Sequence, residues 1–388
     1  MAHAVRFSEF GGPEVLQVVE IPIPEPGEGE VLVEVYATGL NPIESAIRRG
    51  DRPDRWSVEL PAGQGRDLAG VVVATGPGVV RFSRGHAVMG YADSGAQASH
   101  AVVPVTHLLA KAPALTWEVA GSLYTAGTMA WSAVEGLGLG PDDTVVVTAA
   151  AGGVGCLASQ FARLRGATVV GTSVEERFDF LAQFGVVPTA YGPGLADRVG
   201  SLVPGPVTAF LDFLGGEAEE AIALDVPRAR ILTMLDWDAV DEHGVRPVEP
   251  GDLVALTRVA ELLAAHRVRL PIARIFSVDQ VADAYRALDR REAPGKIVLG
   301  FRVVGYRAQK AYEPEIREQE VTLDVLTPHR HIDVEEDVPH AIGDGSVRRR
   351  HREERERAEA ARAEAARAEV ARAAAVADGD TGEFDRHA

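Results

Sequence analysis

The chain is poor in the residues that build covalent cross-links. It has one cysteine, Cys156, in 388 residues, which excludes an intrachain disulfide and favours a reducing, cytoplasmic compartment. Long apolar runs are also missing, and none approaches the roughly 20 residues that a membrane-spanning helix needs. The N-terminal residues 1–6 indicate a strand and contain no signal-peptide core.

The chain also has fewer basic than acidic residues. Lysine and arginine total 39 against 57 aspartate and glutamate residues, which gives a formal net charge of −18. Nucleic acids and anionic membrane surfaces are therefore not expected as partners. The length of 388 residues is sufficient for two domains, each with its own core. These bulk properties favour a protein that acts on a small-molecule substrate.

A glycine-rich turn is the most informative local feature. It follows a short apolar strand at 144–147 and precedes a helix-like stretch at 156–164. Ala150, Gly152 and Gly155 form the pattern A-x-G-x-x-G, with alanine at the first position. Such a turn holds a pyrophosphate at the helix N-terminus. Five residues are predicted to bind a dinucleotide here: Ala150, Gly152, Gly153, Val154 and Gly155.

The chain changes character near Trp117. Residues 1–120 contain short alternating runs such as 31–36 and 70–74, punctuated by Gly-Pro and Pro-Gly steps, which predicts a β-rich, barrel-like unit. Beyond Trp117, strand and helix signals alternate, and this predicts a doubly wound parallel sheet of α/β type. The strand at 295–299 ends the globular pattern.

The last part of the chain is different in composition. Residues 304–345 are irregular, whereas 347–377 consist almost only of Ala, Arg and Glu, with i,i+3 charge pairs that support an isolated helix. We predict a partly disordered, charged extension at 304–388 that contains a solvated helix at about 347–377. His329, His331, Asp333 and His340 have no scaffold around them, and no metal site is predicted.

The chain resembles the zinc-independent medium-chain dehydrogenases/reductases of the quinone oxidoreductase type, because five of its motifs are similar to motifs of that family and follow one another in the same order. They lie at 5–16, 39–42, 67–72, 149–155 and 295–299. The resemblance implies a GroES-like catalytic domain at 1–120 and 272–303. It also implies a Rossmann nucleotide-binding domain at 121–271. Since members of this family often form dimers, the resemblance also implies a homodimer.

Zinc is not expected as a cofactor. In the metal-binding members of this family, cysteine and histidine hold the catalytic zinc. The corresponding positions here are Asn41, Arg66 and a residue near Thr125. None of them is a usual zinc ligand, and Cys156 alone cannot build a site.

NADPH is favoured over NADH. An acidic residue at the end of the second Rossmann strand binds the ribose 2′-hydroxyl of NADH, and that position here is Ser173. A serine does not repel a 2′-phosphate, and Arg177 can supply positive charge. Tyr191 resembles a tyrosine that packs beside the adenosine in relatives. Glu175 and Glu176 are the objection to this assignment.

Without a metal, the expected chemistry is hydride transfer from NADPH to a quinone or an α,β-unsaturated carbonyl. Asn41 is a candidate for orienting the nicotinamide or the substrate oxygen, with a turn residue before Pro42 as the alternative. Tyr124 is a candidate proton donor, with a packed aromatic as the alternative. Glu44 is expected to be a solvated charge.

Two later segments are also candidates for cofactor contacts, with simple packing as the alternative for both. Gly215 lies in the segment 212–216, which is expected to border the cofactor ribose. Leu235 follows the next strand and is expected to line the nicotinamide side.

Two other functions stay open. The chain could be a nucleotide-binding adaptor or regulatory protein whose tail at 304–388 recruits a protein partner. It could also reduce a biosynthetic thioester or polyketide intermediate.

Overall fold

The computed structural model describes residues 1–234, 236–292 and 294–301. The predicted extension at 304–388, its helix at 347–377 and the four residues His329, His331, Asp333 and His340 lie outside this part, as does Leu235. Within the described ranges, no helix has the length and apolarity to span a bilayer.

Strands and helices divide the chain into a strand-rich first part and an alternating second part. The strands are β1 Ala2–Phe7, β2 Gln17–Ile21, β3 Glu30–Gly39, β4 Ala62–Gly63, β5 Asp67–Thr75, β6 Ala87–Tyr91, β7 His100–Pro104, β8 Leu108–Ala110, β9 Thr144–Val147, β10 Thr168–Thr172, β11 Val187–Thr189, β12 Ala209–Asp212, β13 Ile231–Thr233, β14 Arg246–Pro247, β15 Ile272–Ser277 and β16 Lys296–Gly300. The α-helices are α1 Pro42–Arg49, α2 Trp117–Ala120, α3 Leu123–Leu137, α4 Gly153–Leu164, α5 Phe178–Ala182, α6 Leu195–Leu202, α7 Ala218–Ala223, α8 Trp237–His243, α9 Leu253–Ala264 and α10 Val281–Asp289.

The strand-rich part contains two sheets. One has the order β2-β1-β4, and the other has the order β15-β16-β3-β5-β6-β8, with β7 also paired to β3. Alternation along β3 explains the packing, since Val31, Val33 and Val35 are buried on one face as the period of two requires. The predicted β-rich, GroES-like unit is confirmed.

The second part is a parallel sheet of order β11-β10-β9-β12-β13-β14. In chain order this is 3-2-1-4-5-6, the order of a Rossmann fold. Strand β9 is buried on both faces: Val145 and Val147 join a core with α3, α4 and α9, and Val146 joins a core with α6 and α7. The predicted doubly wound sheet is confirmed.

Two element boundaries differ from expectation. Helix α4 begins at Gly153 rather than at 156, because Gly152 takes an extended conformation and caps it. The alternating pattern beyond Trp117 predicts a single helix at 175–184, but this stretch is a 3-10 turn over Glu175–Arg177 followed by α5. There the Arg177 N–H bonds to the Val174 carbonyl, which tightens the turn. The domain boundaries given above stay predictions.

Strand β16 brings the two parts together. It returns to pair with β3, and at its start the Gly295 N–H donates to the Ala151 carbonyl at 2.7 Å. A Cβ at Gly153 would lie 2.5 Å from Cδ of Lys296. The glycine therefore lets the nucleotide turn sit directly against β16, at one side of a cleft.

Candidate functional site

A cavity of about 390 Å³ lies at the carboxyl edge of the parallel sheet. Its walls include the residues that follow β9, β10, β12 and β13, and Asn41 and Lys296 from the strand-rich part. It spans the switch point between β9 and β12, where strand order reverses and where open α/β sheets bind ligands. We call this space the cofactor cavity.

The glycine-rich turn forms one wall of the cofactor cavity. Gly152, Gly153, Val154 and Gly155 all line it. The first N–H groups of α4 lack intrahelical acceptors, so they are available to an anion. A Cβ at Gly155 would lie 2.4 Å from the Ala149 carbonyl oxygen. This position therefore needs glycine for the helix to pack close to the turn.

Three residues predicted for the adenosine end, Ser173, Arg177 and Tyr191, line the same cavity. Burial lowers the pKa of the Arg177 guanidinium, and Tyr191 opposes that effect. Glu175 and Glu176 are exposed and are not among the lining residues. Glu176 still lies close enough to Arg177 for its carboxylate to oppose, as Tyr191 does, the lowering of the Arg177 pKa.

Arg291 is a cation of this cavity that sequence reasoning missed. Arg177 donates from Nη2 to the Arg291 carbonyl, and Arg291 donates from Nη2 to the Leu214 carbonyl at 3.4 Å. It comes from the turn before β16, 114 positions after Arg177. No local pattern near the nucleotide turn signals it.

The other predicted cofactor contacts lie elsewhere. Ala150 is fully buried beneath the turn, where its N–H donates to the Thr172 carbonyl at 2.9 Å. Gly215 donates its N–H to Asp212 Oδ1 at 2.9 Å, and its neighbour Leu214 lines the cavity instead. Leu235 lies outside the described residues, and Met234 before it lines the cavity.

A second cavity of about 150 Å³ adjoins the first. The two share four lining residues, namely Asn41, Pro42, Val154 and Met234. Much of its wall is apolar, with Trp56 and Trp237 among the side chains, and Arg66 and Tyr124 add polar groups. We call it the acceptor cavity.

Asn41 stands between the two cavities and caps helix α1. Its amide oxygen accepts from Lys296 Nζ at 2.6 Å, and its amide nitrogen donates to Asp67 Oδ2 and Glu44 Oε1, each at 3.3 Å. The residue is 2% exposed. Asn41 is thus both the turn residue and a cavity wall, with its amide held by protein partners.

The expectation that Glu44 is a solvated charge is wrong. Glu44 is 3% exposed because α1 turns it inward, where its carboxylate accepts from Tyr285 Oη at 2.7 Å and from Gln97 Nε2 at 3.4 Å. Gln64 also donates to its carbonyl. Burial raises the pKa of Glu44, and the hydrogen bond from Tyr285 opposes that rise.

Asp67 and Lys296 complete a buried polar cluster with Asn41 and Glu44. Asp67 is fully buried and accepts from both the N–H and the hydroxyl of Thr125. Lys296 Nζ also donates to the Leu40 carbonyl at 2.6 Å. Burial raises the pKa of Asp67, and burial lowers the pKa of Lys296, which the charges of Asp67 and Glu44 oppose.

The residues at the family's zinc positions do not fit a zinc ion. The Arg66 guanidinium is a cation and would repel a zinc ion. The Asn41 amide oxygen already accepts a hydrogen bond from Lys296, and the Thr125 hydroxyl already donates one to Asp67. In the part of the chain that the structure describes, no three His, Cys, Asp or Glu side chains come together as metal ligands. The Cys156 thiol is buried, which raises its pKa to about 12.

Tyr124 lines the acceptor cavity as a packed aromatic. Its ring stacks on Tyr91 with a centroid distance of 3.9 Å, and Tyr91 stacks in turn on His107. Burial, followed by contact with Tyr91, raises the pKa of Tyr124 well above its ordinary value. Of the two sequence-based alternatives, the geometry favours packing over proton donation.

Comparisons with known proteins agree with this architecture. The alcohol dehydrogenase GroES-like domain family matches residues 27–114, and the zinc-binding dehydrogenase family matches residues 195–299. A quinone oxidoreductase of Salmonella typhimurium is 39% identical over 175 residues, which are 44% of this chain and 52% of that protein. The chain thus spans about half the length of this curated relative.

Two solved structures match over a longer range. The quinone oxidoreductase from Coxiella burnetii has a TM-score of 0.71 and 27% identity, covering 78% of this chain and 99% of that one. A mycobacterial protein complexed with NADPH has a TM-score of 0.69 and 26% identity, covering 77% of this chain and 100% of that one.

Proposed function

Because the chain belongs to the quinone oxidoreductase-like family of medium-chain dehydrogenases/reductases, we propose that it is an NADPH-dependent reductase of quinones or α,β-unsaturated carbonyls. One observation carries the proposal. A cofactor cavity with an open helix N-terminus joins an acceptor cavity that Asn41, Arg66 and Thr125 line, and none of these three is a usual zinc ligand. Hydride transfer needs both cavities side by side and needs no metal.

NADPH fits the residues of the cofactor cavity. The N-terminus of α4, with Gly153 and Val154, would hold the pyrophosphate. Ser173 and Arg177 would hold the 2′-phosphate, for which an arginine is a strong partner. Arg291 also lines the cofactor cavity. The bound cofactor would supply a hydride. The NADPH complex of the mycobacterial neighbour supports this choice.

The chain's own groups position and enclose the reactants. Asn41 stays fixed because Lys296, Asp67 and Glu44 hold its amide. Apolar side chains such as Trp56 and Trp237 line the acceptor cavity and would contact the flat face of an acceptor. Through its hydrogen bonds to the Asn41 amide, the buried polar cluster fixes the wall that the two cavities share.

A panel of acceptors tests the proposal. We expect loss of NADPH absorbance with benzoquinones, naphthoquinones and simple enones, measured at steady state with the purified full chain. NADPH binding should be tighter than NADH binding in a direct titration. Tight NADPH binding without turnover of any acceptor in the panel would reject the reductase and leave a nucleotide-binding protein.

A further inference from the structure

Arg66 is a cation without a partner in the acceptor cavity. No other arginine or lysine is among the residues that line this cavity. Its Nε atom is buried and makes no hydrogen bond, and no ion pair within the described residues reaches its guanidinium. The residue as a whole is half-buried. Because a guanidinium keeps its charge, even partial burial without an anionic partner is unfavourable.

The neighbouring carboxylates do not neutralise this charge. Glu44 Oε1 accepts from the backbone N–H of Arg66 at 3.2 Å and from Asn41 Nδ2, and Glu44 Oε2 accepts from the Asn41 N–H, Gln97 and Tyr285. Asp67 is engaged by Thr125 and Asn41. Glu249, an acid at the wall of the cavity, is exposed and forms no ion pair with Arg66.

Arg48 and Arg198 also have one buried guanidinium nitrogen without a hydrogen bond, but their other guanidinium nitrogens have protein partners. Arg48, which is fully buried, pairs with Asp289 at 3.5 Å and lies over the Tyr285 ring at 4.8 Å. Arg230 pairs with Asp143 at 2.7 Å. Arg66 differs from these because its free donors border a cavity, where a ligand can supply the missing acceptor.

We propose that Arg66 binds the oxygen of the acceptor on which negative charge develops, and so stabilises the enolate or hydroquinone anion. This inference deepens the proposed function and rests on it. In the reaction, NADPH is oxidised to NADP⁺ as its hydride forms a C–H bond at the β-carbon of the C=C–C=O unit. The C=C π pair becomes the C=C bond of the enolate, and the carbonyl π pair moves to the oxygen beside Arg66. For an enone, water then gives one proton to the α-carbon, which yields the saturated carbonyl compound; for a quinone, the transferred ring hydrogen leaves to water as a proton and water protonates both oxygens, which yields the hydroquinone.

The acceptor class follows from this assignment. The substrate is a carbonyl compound whose reacting carbon faces the wall shared with the cofactor cavity and whose oxygen reaches Arg66. The cavity of about 150 Å³ and its tryptophans suit one small flat ring or a short enone. Fixed donors aimed at developing charge are among the largest contributors to catalysis.

Phenolate binding tests the assignment without any turnover. 4-Nitrophenol is a chromogenic mimic of the anionic product, and its spectrum reports the phenolate form. We expect wild type to bind the phenolate, with and without NADP⁺, and Arg66→Met to bind it about 10- to 100-fold more weakly. Arg84→Met, which removes an exposed arginine outside both cavities, is the matched control and should bind as wild type does.

Two results of that titration overturn the inference: wild type that does not bind the phenolate, or Arg66→Met that binds it as tightly as wild type. A fold check by circular dichroism and by NADPH affinity, expected unchanged in Arg66→Met, accompanies it. Since no turnover is involved, the titration decides on Arg66 even when the acceptor panel fails and the proposed reductase is rejected.

Kinetics provide a second measure. Arg66→Met should lower kcat by about 10²-fold, the size of effect seen when one donor to an oxyanion is removed. Added guanidinium ion should restore part of the rate of Arg66→Ala, which a purely structural defect would not allow. Unchanged kcat in Arg66→Met refutes the role.

Discussion

Replacing Glu44 by glutamine would perturb the buried polar cluster with almost no change of shape. The two carboxylate oxygens accept five hydrogen bonds in all. Oε1 accepts from Asn41 Nδ2 and the Arg66 N–H, and Oε2 accepts from the Asn41 N–H, Gln97 Nε2 and Tyr285 Oη. Glu44→Gln puts an NH₂ group in place of one of these oxygens. At least two of the five donors then point at this NH₂ group and lose their acceptor.

The magnitude follows from this geometry. A buried donor left without an acceptor costs about 1–3 kcal/mol, so two of them cost about 2–6 kcal/mol. Removing the carboxylate also removes the penalty of burying a charge, which offsets part of the loss. We expect a net destabilisation of about 2–4 kcal/mol, or a fall in Tm of about 3–6 °C for a fold of this size.

Urea unfolding followed by tryptophan fluorescence measures this difference directly. The matched control is Glu25→Gln, which changes an exposed glutamate and should alter stability by less than about 0.5 kcal/mol. Glu44→Gln with the stability of wild type would refute the reasoning, because it would mean that the five donors do not depend on the carboxylate.

Three further predictions concern the cavities and their support. Ser173→Asp should weaken NADPH binding by at least about 10-fold, since a carboxylate beside a 2′-phosphate is repelled, while NADH binding is retained; parallel titrations measure both. Tyr124→Phe should keep kcat within about threefold, a change of under 1 kcal/mol, because the ring stack on Tyr91 is preserved. Burial raises the pKa of Asp67 above 3.8, so the folded state binds this proton more tightly than the unfolded state. Wild-type stability relative to Asp67→Asn should therefore fall as the pH rises from 3.8 through the raised pKa; urea unfolding across that window measures it.

Local sequence patterns were sufficient for the nucleotide-binding half of the fold. The apolar run Thr144–Val147 became strand β9 with the predicted bounds, because a short buried parallel strand is continuously apolar. The glycines after it leave no room for a side chain: a Cβ at Gly155 would clash with the Ala149 carbonyl oxygen at 2.4 Å. Such constraints act over a few residues, and the sequence therefore shows them.

The buried polar cluster depends on contacts that are distant in sequence. Glu44 lies in the first turn of helix α1, three residues after Asn41. Its carboxylate is buried because it contacts Tyr285, 241 positions away, and Gln97, 53 positions away. Arg291 reaches the cofactor cavity in the same manner. No periodicity around Glu44 encodes these partners, so a charged residue near a turn was predicted to be solvated.

The most direct test of the central claim is deuterium transfer from NADPH labelled at C4 of the nicotinamide to an enone acceptor. We expect the purified chain to move the label to the β-carbon of the saturated product, with one NADPH oxidised for each acceptor reduced. A product that carries no label, or NADPH that is left unoxidised beside every acceptor, would contradict the claim.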